Sequence, residues 1–290
     1  FKAGYRFGMT TLKKAFSNKG TRRVLRLIGP TVIGMAAYQI NILVSTIIAS
    51  KAGTGIVSSL QFSLRLQELL LGIFAVSLGT VILPELAGNA KKKQWDIFND
   101  NVLFGMNLTA IIMIPAMLCA FINAKEIIIL IFKYKTFDSN SVDLTTWAFW
   151  FHIIGLYFIG AQRVLAPAFF AREDTKTPTI AGIVTVSVNI ICALLLVGPL
   201  QGGGIALAST ISALVNLVFL IVALAVKLDK SFKQTTIHFL LYALKMMLIS
   251  FVVATPVFIW KNNIYNYFST CNNRIVSIAL PLVLIAITYY

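Results

Sequence analysis

The sequence predicts an all-α, polytopic helical membrane protein with about eight transmembrane helices. Three observations carry this. Apolar residues make up 58% of the 290 positions and charged residues only 12%, about half the ~25% of soluble domains. The mean hydropathy is +0.84, and several apolar runs reach the ~20 residues that a bilayer crossing needs. These runs are continuous, whereas a membrane β-barrel shows alternation over ~10-residue segments. A soluble domain of this size has no interior large enough for so much apolar surface. A soluble enzyme, a nucleic-acid-binding module and a secreted disulfide scaffold are therefore excluded.

In chain order, residues 1–27 form a basic cytosolic or interfacial segment with eight Lys/Arg and no acid. Apolar spans follow at 28–49, 56–83, 102–122, 146–170, 178–198, 203–226, 237–260 and 275–290, the last a short one. Helix breakers fall where turns are expected, at Pro84 with Gly88, at Pro178, and at Gly198-Pro199 with Gly202–Gly204. The stretch from Lys125 to Phe132 reads as a short interfacial helix. The chain starts at Phe1 without an initiator Met and is still apolar at Tyr290, so it is read as part of a longer protein.

The net charge is +15, and in a membrane protein such an excess is first a topology signal. With the N-terminus inside, inner segments hold 16 Lys/Arg and outer ones six, while Arg65, Arg163 and Lys245 lie within spans. This ratio places Phe1–Leu27, Lys91–Lys93 and Lys227–Lys233 in the cytosol. In a background without Cys271, a Lys92→Cys variant should resist impermeant thiol reagents added to intact cells. Labelling from outside would reverse the assignment. The basic N-terminal segment also fits contact with anionic membrane lipids.

A charge at mid-bilayer costs at least ~2.5–3.5 kcal/mol on insertion scales, so each one calls for a reason. Arg65 lies ten residues into its span, about 15 Å deep. Ser58, Gln61, Glu68 and Gly72 share its helical face, and Glu68 is the only acid of the ten inside a span. Two readings follow. Arg65 and Glu68 satisfy each other locally, or Arg65 lines a polar cavity and meets an anionic substrate, for which the guanidinium fork suits phosphate.

Other spans carry smaller polar sets. Asn41 and Ser45 share a face with Gly34 and Tyr38, His152 lies with Gly155 and Gln162, Thr185 and Asn189 line up with Cys192, and Ser209, Thr210, Ser212 and Asn216 follow. Singly, such residues join helices by hydrogen bonds. Together they place these helices around something polar. Arg163 and Lys245 have stems long enough to reach an interface.

Enzymatic chemistry is not expected. The only adjacent acids, Glu173 and Asp174, sit between Arg172 and Lys176 in a loop, and no GxSxG, HExxH or P-loop is present. Cys119, Cys192 and Cys271 are widely spaced, and His152 and His238 are too few for a metal site. No cofactor, metal or nucleic-acid partner is expected. Small interface residues and a mid-membrane cation fit transport.

Two stretches are more specific. Gln39-Ile40-Asn41 to Ala49-Ser50, continuing from Gly55 to Leu86 (GIVSSLQFSLRLQELLLGIFAVSLGTVILPEL), is the first. The second joins Gln162-Arg163-Val164-Leu165, Ala168-Phe169-Phe170-Ala171 and Asp174-Thr175-Lys176-Thr177-Pro178. In order and spacing they resemble the MurJ/MviN family of lipid II flippases, within the multidrug/oligosaccharidyl-lipid/polysaccharide exporter superfamily. Leu64 and Leu70 stand where the family has Asp and Pro.

The resemblance implies a fourteen-helix flippase of which this chain is the C-terminal portion. Residues 28–226 would be the six-helix C-lobe, and 237–290 two additional helices forming a groove for the polyprenyl tail. It implies alternating access around a central cationic cavity, with Arg65 and Glu68 contacting lipid II, an undecaprenyl-pyrophosphate-linked sugar peptide. Gln61 and Asn41, on the polar helix faces, are read as further contacts. The N-terminal lobe and membrane lipids would be partners, in the bacterial cytoplasmic membrane. Some members bind sodium through acids that fall near Ser45 and Ala193, with partners matching Asn189 and Thr210. Both acids are missing here, which leaves Ser45, Asn189 and Thr210 as remnants of an ion site. The alternatives are an exporter of another lipid-linked oligosaccharide or of a drug, and a non-transporting scaffold of the cell-wall machinery.

Overall fold

In a bilayer every backbone N–H and C=O must find its partner within the protein, so continuous apolar runs fold as helices. The computed structural model describes residues 19–134, 136–227, 230–268 and 274–289. Residues 1–18 of the predicted basic segment and Cys271 lie outside them. Among the described residues there are ten helices and no strand: α1 (Lys19–Ala52), α2 (Ile56–Lys91), α3 (Trp95–Ile122), α4 (Ala124–Phe132), α5 (Ser139–Ile154), α6 (Leu156–Ala171), α7 (Lys176–Leu200), α8 (Gly202–Lys227), α9 (Lys230–Phe268) and α10 (Arg274–Tyr289). Each of the eight apolar runs falls on a helix or helix pair, and the 125–132 stretch is α4. Among the described residues α3, α7, α8 and the 237–268 part of α9 are each long and apolar enough to cross a membrane.

The run at 146–170, expected as one helix, is two. The α5–α6 pair is bent by 41° across Gly155, which caps the end of α5. Conversely, the expected stop at Pro84 is absent, because α2 continues through Pro84 to Lys91. Gly198 and Pro199 likewise lie inside α7. Neighbouring helices and local adjustment satisfy the groups that such residues free, so Pro breaks a membrane helix less readily than a soluble one. Pro178 sits in the first turn of α7, where its missing N–H has no helical partner to lose.

The core lies where α3, α5, α6 and α8 meet. Phe98, Met113, Phe149, Ile153, Leu165 and Phe169 are almost fully enclosed there. α2 lies against α5 and α6, α7 forms a tight hairpin with α8, and α1 leans on α7. α9 runs along α3, using a stripe through Phe239, Ala243, Met246 and Ala254 at helical spacing. Much of the apolar surface of α9, including Leu241, Leu248, Phe251, Val252 and Ile259, is exposed, as suits a helix bathed in lipid. Outside the spans, Asp138 caps α5 by accepting the Ser141 N–H at 2.8 Å, and this bond holds its carboxyl below the usual carboxylate range.

Candidate functional site

The polar residues of α2 divide into two faces. Ser58, Gln61, Arg65, Glu68 and Gly72 recur at three- and four-residue intervals and are all exposed. Arg65 Nη1 donates to Glu68 Oε2 at 3.0 Å, and the two side chains are 73% and 43% exposed. The sequence-predicted cation thus sits on a polar stripe aimed away from the core, held by one neighbour on its own helix. A pair this open contributes only about 0–1 kcal/mol to folding, so its geometry leaves the guanidinium available to an anion.

The opposite face was not singled out from sequence. Ser59, Ser63 and Gln67 are buried, Ser59 bonding the Ile56 carbonyl of its own helix at 2.9 Å and the other two meeting α5. Ser63 Oγ and His152 Nδ1 share a hydrogen bond of 2.6 Å, and Gln67 Nε2 donates to the His152 carbonyl oxygen. Thr210 Oγ1, from α8, donates to the Phe151 carbonyl at 2.6 Å. Carbonyls at the end of a helix run short of intrahelical donors. At the α5–α6 break Thr210 donates to the Phe151 carbonyl, and Gln67 adds a second donor to the His152 carbonyl, which also accepts the Gly155 N–H at 3.0 Å. Gly155 is required there because a Cβ would lie 2.7 Å from Thr210 Oγ1. The four-residue spacing of Ser59, Ser63 and Gln67 was the available signal for a second polar face.

The remaining predicted residues separate. Ser45 Oγ donates to Asn189 Oδ1 at 3.4 Å, and Asn189 Nδ2 donates to Ser209 Oγ at 3.2 Å and Ser212 Oγ at 3.4 Å. Asn189 is almost fully buried in this α1–α7–α8 contact. Ser45 and Asn189 are therefore joined, while the Thr210 hydroxyl turns to α5 instead. Ala193, one turn beyond Asn189, is fully buried and offers no oxygen from its side chain. Asn41 is half-buried on α1, and its Oδ1 is enclosed with no hydrogen-bond partner among the described residues. Among the described residues no group of three or more His, Cys, Asp or Glu is placed to hold a metal ion.

Between α9 and α10 lies a cavity of about 510 Å³ lined by Trp260, Asn263, Ile264, Tyr267, Phe268 and Leu284. Nearby, Lys261 Nζ donates to Glu126 Oε2 at 2.8 Å and to the Ile122 carbonyl at 2.6 Å. Tyr265 OH bonds Asn123 Oδ1 at 3.4 Å. These contacts fasten α9 to α4 and the end of α3. Neither partner of the half-buried Lys261–Glu126 pair stood out in the sequence, because both lie outside the predicted spans.

The chain is similar to known proteins in sequence and in fold. The chain matches the family model described as Lipid II flippase MurJ over residues 1–275. It is 35% identical over 287 residues to the probable lipid II flippase MurJ of Treponema pallidum, covering 99% of this chain and 54% of that protein. With the probable lipid II flippase MurJ of Buchnera aphidicola from Acyrthosiphon pisum the figures are 29%, 98% and 56%. The chain thus spans about half the length of these relatives. In three dimensions it resembles the inward closed conformation of lipid II flippase MurJ, with a TM-score of 0.71 and 23% identity over 100% of this chain and 56% of that one. An outward-facing multidrug resistance MATE transporter of the MOP superfamily shares the fold at a TM-score of 0.60 and 16% identity, covering 95% of this chain and 64% of that one. A match to the family model along nearly the whole chain, on an all-helical membrane fold, establishes that this chain belongs to the lipid II flippase MurJ family.

Proposed function

We propose that this chain forms the C-terminal half of a flippase that carries lipid II across the bacterial cytoplasmic membrane without chemical change. Residues 28–226 act as one lobe of an alternating-access carrier, and 237–290 add two helices beside it. The observation that carries the reading is Arg65, a guanidinium ten residues into a long helix, on an exposed polar stripe, paired with Glu68. An opposing lobe facing that stripe would enclose a cavity whose cation meets the pyrophosphate, with Gln61 and Asn41 offering amides to the sugar portion. Glu68 holds the guanidinium extended when cargo is absent and yields it when phosphate arrives. The apolar cavity at Trp260 and Leu284 suits a polyprenyl chain, and membrane lipids would fill it between cycles.

A single lobe has half a binding site and no opposing gate. The full-length protein should therefore restore growth to a bacterium depleted of its own lipid II flippase, whereas residues 1–290 alone should insert into the membrane and fail to do so. Failure of the full-length protein, at normal membrane abundance, would remove lipid II as the cargo. Robust flipping by the 290-residue chain alone in liposomes would show the two-lobe reading wrong.

A further inference from the structure

Residues two positions either side of Arg65 lie on the opposite face of α2. At 100° per residue, Ser63 and Gln67 each sit about 160° from Arg65, flanking the point directly behind it. Both are buried, Ser63 at 0% and Gln67 at 3% exposure. Both bond the same residue, Ser63 to the His152 imidazole and Gln67 to the His152 carbonyl. His152 is itself 4% exposed, in the last turn of α5 before the bend at Gly155.

We propose that His152, acting through Ser63 and Gln67, is a positioning residue that fixes the rotation of α2 and thereby the aim of Arg65. This rests on the reading that Arg65 contacts the anionic head group. The apolar contacts of α2, through Leu60, Leu66 and Leu71, are non-directional and resist a small rotation weakly. Hydrogen bonds are directional and tolerate only a few tenths of an ångström. A 20° turn of α2 moves a side-chain tip about 5 Å from the axis by about 2 Å, enough to break both bonds. The bend serves the same end. At the bend the His152 carbonyl accepts the Gly155 N–H at 3.0 Å, and its second lone pair takes the Gln67 amide.

The test uses the full-length protein with Cys119, Cys192 and Cys271 replaced by Ala. First, Arg65→Cys is introduced and its reaction rate with a charged, water-soluble methanethiosulfonate reagent is measured. Adding Ser63→Ala and Gln67→Met, singly and together, should change that rate by about fivefold, the population shift that losing one net hydrogen bond permits. Gln162→Met is the control. It removes a comparable bond, from Gln162 Nε2 to the Ala213 carbonyl at 2.7 Å, between α6 and α8, and should leave the rate unchanged.

Second, with Arg65 intact, the Ser63/Gln67 variants should raise the KM for lipid II flipping by about fivefold and leave kcat nearly unchanged. A general loss of packing would lower kcat and protein yield instead. An altered labelling rate with an unaltered KM would keep the positioning role and remove Arg65 from head-group binding. If the double variant folds and labels at the parental rate, or if both single variants do, the proposal is wrong.

Discussion

Arg65→Ala in the full-length protein abolishes complementation of a flippase-depleted strain, while membrane abundance stays near the parental level. The two halves of this expectation have different physical sources. Arg65 is 73% exposed and, among the described residues, is bonded to Glu68 three residues on, so its removal takes about 0–1 kcal/mol from folding. Enclosed by a second lobe and bound to phosphate, the same guanidinium would make charge-assisted, bidentate hydrogen bonds. Truncating one partner of a buried charge pair costs about 2–5 kcal/mol, roughly thirtyfold to several thousandfold in occupancy. Arg65→Lys keeps the charge and loses the fork, so partial or no rescue follows. Growth and lipid II accessibility at the outer surface are the readouts. Full activity of the Ala variant would reduce Arg65 and Glu68 to a self-satisfied pair.

Gly204→Ala prevents the protein from reaching its folded state in normal yield. In the α7–α8 hairpin a Cβ on Gly204 would run into the Leu196 backbone, with the carbonyl carbon only 2.5 Å away. A backbone carbonyl inside a helix has no rotamer to change, so α8 would have to move. That helix packs on α5 and α6 as well as on α7. Overpacking of this kind costs about 1–3 kcal/mol and more where nothing yields. Gly198→Ala, in the same hairpin but with nothing within 4 Å of its Cβ, is the matched comparison and should be neutral or slightly stabilising. Detergent-solubilised melting temperatures and the monodisperse fraction on size exclusion decide it. Equal behaviour of the two variants would mean that the hairpin relaxes more easily than its geometry allows.

The faces of the helices were legible in advance. Ser58, Gln61, Arg65 and Glu68 recur at three- and four-residue spacing, and helical periodicity alone puts them on one stripe, which the fold leaves exposed. Partners were less legible. Asn189 and Thr210 both read as polar groups facing a common interior, yet Asn189 bonds Ser45, Ser209 and Ser212, and Thr210 bonds the Phe151 carbonyl. Periodicity reports an angle about an axis, and says nothing of which neighbour stands at that angle. Breakers misled for a related reason. Pro84 and Pro199 lie inside helices, while α5 and α6 separate at Gly155.

By itself the sequence determined that the chain is a set of membrane helices, since hydrocarbon leaves a continuous apolar run no other way to satisfy its backbone. It also determined that one of them carries a cation on a polar face, because residue spacing sets the face. Only the tertiary structure decided where a helix bends and what holds it there. At the bend between α5 and α6, Gln67, from α2, and Thr210, from α8, reach the His152 and Phe151 carbonyls across 85 and 59 residues of sequence. Such bonds exist only once the helices have docked, because each donor's value lies in an acceptor that the local sequence does not contain.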